Sequence, residues 1–139
     1  MLQRDSSEIL KQFDLRHTDT RENILNGFIS KTIALSHADI ESFLIDGFDR
    51  VTIYRTLKTF LDKGIIHKVL DDQGGIKYAL CKEQCSHSAH HHDHVHFKCS
   101  NCGDTTCIEK LTVPEIILPE GYQKNEINVL VQGICPKCQ

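Results

Sequence analysis

Residues 49–80, DRVTIYRTLKTFLDKGIIHKVLDDQGGIKYAL, place a helix directly before a hairpin, and that order decides the fold. Asp49 offers an N-cap carboxylate, and Val51, Ile53, Tyr54, Leu57, Phe60 and Leu61 recur at helical spacing as a buried stripe. Gly64 supplies the stop. Residues 65–70 and 75–80 then read as short strands around the turn residues 71–74 (DDQG). Upstream, 5–14 (DSSEILKQFD) predicts a short helix capped by Asp5 or Ser6, with Ile9, Leu10 and Phe13 on one face. Thr18 caps a second helix, with Asp19 and Glu22 in its first turn and Ile24, Leu25, Phe28 and Ile29 as its apolar stripe to about Ser30. Ser36 caps a third, carrying Ile40, Phe43, Leu44 and Ile45 and ending near Gly47. A run of helices closed by a hairpin is the order of a winged helix.

The composition changes after Leu80. Residues 81–96 hold two cysteines and six histidines (His87, His90, His91, His92, His94, His96) with almost no aliphatic side chains, which marks a boundary and a metal-rich stretch. The expected division is a DNA-reading unit at 1–82 and a hinge plus metal-binding unit at 83–139. In the second unit Cys99 and Cys102 form one CxxC, and Cys135 and Cys138 form another. Thiolates two residues apart on a tight turn converge on one point, and two such turns supply the four soft ligands that tetrahedral zinc prefers. Redox dithiols and disulfides also use CxxC, but neither explains why the pair occurs twice. Strands are expected at 94–98, 104–111 and 121–132. Between the last two, Pro114 and Pro119 leave room for no more than one helical turn. In a half this short, a structural metal supplies stability that a small core does not.

On the helix of residues 50–63, Thr52, Arg55, Thr56, Lys58, Thr59 and Lys63 turn away from the apolar stripe, a face of hydroxyls and cations. Such a face either is solvated or enters a major groove, about 12 Å wide. The net charge of −3 over 139 residues excludes a protein that coats nucleic acid indiscriminately, but not one that places a few Arg and Lys side chains on phosphates. The N-terminus has no apolar signal core and nowhere do about 18 apolar residues run together, so neither export nor a membrane span is indicated. A cytoplasmic setting is expected, and its reducing conditions keep the seven cysteines available to metal. His94 and His96 alternate on one side of a strand, a bidentate start to a second site for a divalent metal.

DRVTIYRTLKTFLDKGIIHKV followed by GGIKYAL, HVHFKCSNCG at 94–103 and GICPKC at 133–138 together closely resemble the ferric uptake regulator family over about residues 15–139. The resemblance implies an α+β protein, an N-terminal winged helix-turn-helix followed by a small α/β dimerisation domain with a structural zinc on Cys99, Cys102, Cys135 and Cys138. By position, Tyr54 and Arg55 would touch DNA bases and backbone with Thr52 and Lys58 beside them, and Arg16 or Arg21 would approach from the second helix. Tyr54 has a second reading, packing against the stripe it adjoins. A regulatory site is implied at the hinge, on His94 and His96. Cys107 stands where relatives commonly place an acidic ligand, and it is either a thiolate ligand or a small buried residue. Two positions depart from the family: Ala34 replaces a His before the third helix, with His37 three residues on, and Ala79 replaces a Glu at the end of the wing. Cys81, Cys85, His87, His90 and His17 are the substitutes nearest in sequence, and the run His90, His91, His92 and Asp93 either forms a second regulatory site or belongs to a solvated loop.

The function so implied is a metal-dependent repressor of metal-homeostasis genes, a homodimer that binds double-stranded AT-rich palindromic operator DNA when its regulatory site is loaded. Zinc or iron is the regulatory ion, and the soft thiols at 81, 85 and 107 tilt the choice to zinc. The alternatives are a peroxide-sensing regulator of the same family and a His-rich metal carrier or buffer. An enzyme is disfavoured: residues 94–96 read His-Val-His rather than H-x-E, HExxH is absent, and four cysteines leave zinc no open position.

Overall fold

The computed structural model describes residues 5–44, 48–70, 74–80, 95–108, 111, 114–125 and 127–139. Four helices come first, α1 (Ser6–Gln12), α2 (Asp19–Lys31), α3 (His37–Phe43) and α4 (Arg50–Lys63), with a two-residue strand β1 (Leu35–Ser36) before α3. The hairpin β2 (Ile66–Leu70) and β3 (Ile76–Leu80) follows, then β4 (Val95–Cys99), β5 (Thr105–Ile108), β6 (Val129–Gly133) and a single 3-10 turn at Pro136–Cys138. Each helix begins at the polar side chain that the sequence provides. The Asp5 carboxylate accepts from the Ser7 amide, Thr18 Oγ1 from Arg21, Ser36 from Asp39, and Asp49 from Thr52 at 2.6 Å. Asp39 returns the bond to the Ser36 amide, completing a capping box. The Thr52 amide and hydroxyl hold the Asp49 carboxyl below the usual carboxylate range. Gly64, at φ 80°, ends α4 in the left-handed region, where a side chain would be strained.

Ile9, Leu10, Ile24, Leu25, Phe28, Leu35, Ile40, Ile53, Leu57, Phe60, Ile65 and Ile66 form one buried core beneath the four helices. Gly27 lets α3 approach α2, since a Cβ there would run into the Phe43 ring. The wing sheet has the order β1-β3-β2, all antiparallel, with Leu35 opposite Tyr78 and His67 opposite Ala79. The second sheet has the order β5-β4-β6, β5 antiparallel and β6 parallel to the central strand. The halves touch: the Ala34 amide donates to the Thr105 carbonyl at 2.7 Å, and Lys77 Nζ reaches the Gly103 carbonyl and Thr105 Oγ1. No helix among the described residues is long and apolar enough to cross a membrane.

Several expectations are corrected. β6 is shorter than the strand expected at 121–132, because the chain turns at Gly121 (φ 92°), where the Tyr122 amide bonds the Pro119 carbonyl, and begins pairing with β4 only at Val129. β1 is too short to leave a periodic signal. On α4, Val51 and Tyr54 are exposed rather than in the stripe, and Thr56 is buried rather than on the polar face, its hydroxyl donating to the Thr52 carbonyl. The apolar arc of α4 is therefore narrower than its hydrophobic letters suggest. Among the described residues of 114–125 there is no helix, in keeping with the two prolines. Phe60, fully buried at the centre of the core, sets its stability: Phe60→Ala is expected to cost about 3–5 kcal/mol, read as a lower urea midpoint at unchanged slope.

Candidate metal centre and nucleic-acid interface

The four-cysteine centre follows from strand order. β4 and β6 are parallel neighbours in register Cys99 opposite Gly133, so both strands leave the sheet at one edge, and the turn after each carries a CxxC. The Ser100 amide donates to the Gly133 carbonyl, tying the turns together, and the Cys135 amide donates to Cys99 Sγ at 3.4 Å. The sulfurs of Cys99, Cys102, Cys135 and Cys138 all lie within 4.8 Å of one another. Cys102 Sγ stands 3.9 Å from Cys135 Sγ, close to the separation of about 3.8 Å that tetrahedral Zn–S bonds of about 2.3 Å impose. None of the described cysteines is joined in a disulfide, which removes that reading for them. The amides of Cys102 and Cys135 pull the Cys99 thiol down to about 6. The Asp104 amide also favours a thiolate at Cys102, but burial and the three neighbouring sulfurs outweigh it and push that thiol up to about 12. Four thiolates so close repel one another, and a divalent cation is what lets all of them ionise. The donor set therefore fits a closed structural zinc.

A second cluster lies between the halves. His67 Nε2 on β2 and His96 Nε2 on β4 share a 3.0 Å hydrogen bond, with the rings tilted at 38°. Cys107 faces His96 across the β4–β5 ladder, and the three ligand atoms lie within 4.8 Å of one another. Both imidazoles are only 4% exposed. Sequence reasoning found His96 and Cys107 and missed His67. Its register partner Ala79 is the position where the family resemblance anticipates a glutamate, so a vacated site in the wing was legible but the residue opposite it was not. His94, His92, Asp93, Cys85, Cys81, His87 and His90 lie outside the described residues. His17 pairs with Glu22 at 2.9 Å on the surface. His37 stacks on Tyr54, ring centroids 4.2 Å apart, with its Nδ1 beside Glu41, which also receives Arg50.

The cationic face is presented as the helix spacing requires. Thr52, Tyr54, Arg55 and Lys58 are exposed on α4, so the packing reading of Tyr54 reduces to its stack on His37. Thr18, Thr20 and Arg21, at the N-terminus of α2, join Thr52, Arg55, Thr56 and Thr59 in lining a groove between the two helices. Arg21 is steadied by donating to the Arg16 carbonyl at 2.6 Å. Hydroxyls, two guanidiniums and a helix N-terminus are the groups that hold a phosphate diester.

Comparison with known proteins agrees with this arrangement. The model of the ferric uptake regulator family matches residues 12–130. The ferric uptake regulation protein of Staphylococcus aureus is 31% identical over 139 residues, covering 97% of this chain and 96% of that one. Among solved structures, a zinc uptake regulator complexed with zinc and DNA superposes with a TM-score of 0.68 at 21% identity, covering 96% of this chain and 89% of that one. The Vibrio cholerae ferric uptake regulator superposes with a TM-score of 0.61 at 21% identity, covering 94% of this chain and 100% of that one. Cys138→Ser, which breaks the sulfur set at the chain's end, is expected to lower the zinc content by one ion per chain and to loosen the C-terminal sheet while the helical core stays folded; metal analysis and hydrogen exchange read the two effects separately.

Proposed function

From the premise that this chain belongs to the ferric uptake regulator family, metal-responsive transcriptional regulators and not enzymes, we propose that it is a homodimeric repressor that binds double-stranded operator DNA when a regulatory metal joins its two halves. The observation that carries the reading is that one chain has both an exposed Tyr54–Arg55 face and a His67, His96 and Cys107 ligand cluster joining its halves. Thr52, Tyr54, Arg55 and Lys58 enter the major groove, and Arg21 and Arg55 hold the backbone phosphate in the groove between α2 and α4, with Arg16 beside them. The division at residues 82 and 83 separates the DNA reader from the metal-binding, pairing unit.

Cys99, Cys102, Cys135 and Cys138 hold the structural zinc. His96 and Cys107 belong to the regulatory site, to which His94, His92, Asp93 and Cys85 are further candidates, and the thiolate favours zinc over iron there. Pairing of two chains is supported by the apolar surface around the second sheet: β6 is an edge strand, Val131 is exposed on it, and Ile117 and Tyr122 are 85% and 70% exposed in the segment before it. A twofold dimer presents its two α4 helices to grooves about 34 Å apart, and the expected operator is an AT-rich palindrome. To move the population from mostly incompetent to mostly competent, metal must favour the competent arrangement by about 5.5 kcal/mol. Imidazole and thiol must lose protons to coordinate, so the metal response weakens as pH falls. These events belong in the cytoplasm, where operator DNA is and thiols stay reduced.

Selection from a pool of random DNA duplexes tests the proposal. The zinc-loaded protein is expected to enrich a two-fold symmetric, AT-rich site, and chelation of the regulatory ion to abolish the enrichment; recovery of no sequence, with zinc bound normally, favours a carrier instead. On the enriched duplex, Arg55→Ala is expected to weaken binding and to reduce the slope of log affinity against log salt by about one phosphate's share.

A further inference from the structure

We infer that His67 of the wing strand β2 is a direct ligand of the regulatory metal, which makes that site a two-imidazole, one-thiolate centre for a zinc-class ion that clamps the wing to the second sheet. The inference rests on the proposal that His96 and Cys107 belong to the regulatory site. Nothing in backbone pairing forces His67 and His96 together, because they stand on strands of different sheets. Yet their Nε2 atoms meet at 3.0 Å in a site where both residues are buried. A hydrogen bond between two imidazoles needs one protonated and one bare nitrogen, whereas an ion accepts both lone pairs at once. Tetrahedral Zn–N bonds of about 2.0–2.1 Å place two nitrogens about 3.3 Å apart, a few tenths of an ångström beyond the present spacing. The third donor comes from register. Residues opposite one another on adjacent strands share a face, so Cys107 stands beside His96. On the wing, the same rule sets the methyl group of Ala79 beside His67.

Two imidazoles and a thiolate suit zinc and disfavour manganese or magnesium, which prefer oxygen. The three described donors leave a fourth tetrahedral position, for which His94, His92, Asp93 and Cys85 are the candidates. The placement of His67 also gives the site a short path to DNA. Gly64 ends α4, the fully buried Ile65 and Ile66 follow, and His67 comes next, so an ion on His67 is joined to the reading helix through two residues anchored in the core.

The test uses full-length protein carrying one zinc per chain on the four cysteines, titrated with cobalt as a spectroscopic probe of the second site. Wild type is expected to bind a second equivalent with tetrahedral ligand-field bands and a sulfur-to-cobalt charge-transfer band that Cys107→Ser removes. His67→Ala is expected to weaken that second equivalent at least tenfold, and His67→Cys to restore it with stronger sulfur charge transfer. If His67→Ala fails to retain its first zinc, His67→Cys decides: binding without a changed sulfur band overturns the inference. Unchanged second-site affinity in His67→Ala alongside a loss in His96→Ala refutes His67 as ligand and leaves the regulatory site standing. Unchanged affinity in His67→Ala, His96→Ala and Cys107→Ser together refutes both.

Discussion

The described residues of the C-terminal half enclose almost no apolar interior, and that constraint shapes the molecule. Among the described residues from 95 onward, Val95 and Cys99 are the buried hydrophobics, while the helical half encloses a full core. Three short strands with so little to bury do not hold together on hydrophobic burial alone. The parallel pairing of β4 with β6 answers the shortage by bringing both CxxC turns to the same edge. A zinc ion on these sulfurs would supply the bonds that a core of the described residues does not, and the proposed pairing would cover the apolar side chains left outside.

The same economy governs the junction. Among the described residues, the contacts that join the two halves include the backbone hydrogen bond from Ala34 to Thr105, the Lys77 ammonium and the His67–His96 pair, all of them polar. Polar junctions of this kind permit relative motion of the parts they join. An ion held as proposed by His67, His96 and Cys107 would add directional bonds there, and the run from His67 back through Ile66 and Ile65 would pass the constraint to α4. His37, three residues after Ala34, stacks instead on Tyr54.

Much of this was legible in the amino-acid sequence because it is encoded locally. Caps at Thr18, Ser36 and Asp49, the stop at Gly64 and the paired cysteines each act within a few residues of themselves, and each is where the spacing put it. The errors arise where neighbours in space decide. Tyr54 and Thr56 lie at the boundaries of the α4 stripe, and only the packing of α3 and α2 determines which of them is covered. β1 exists because β3 is there to pair with it. His67 reads only as a strand residue because its imidazole partner is on another sheet, and the gap at Ala79 points to an absent ligand without indicating the histidine across the ladder.

Anomalous scattering at the zinc edge from crystals of the zinc-loaded protein tests the central claim most directly. Two peaks per chain are expected, one within bonding distance of the sulfurs of Cys99, Cys102, Cys135 and Cys138, the other bonded to His67 Nε2, His96 Nε2 and Cys107 Sγ at about 2.0–2.1 Å for nitrogen and 2.3 Å for sulfur. A four-cysteine cluster without a peak, or a second peak that leaves His67 and Cys107 unbonded, contradicts the structure of the switch described above.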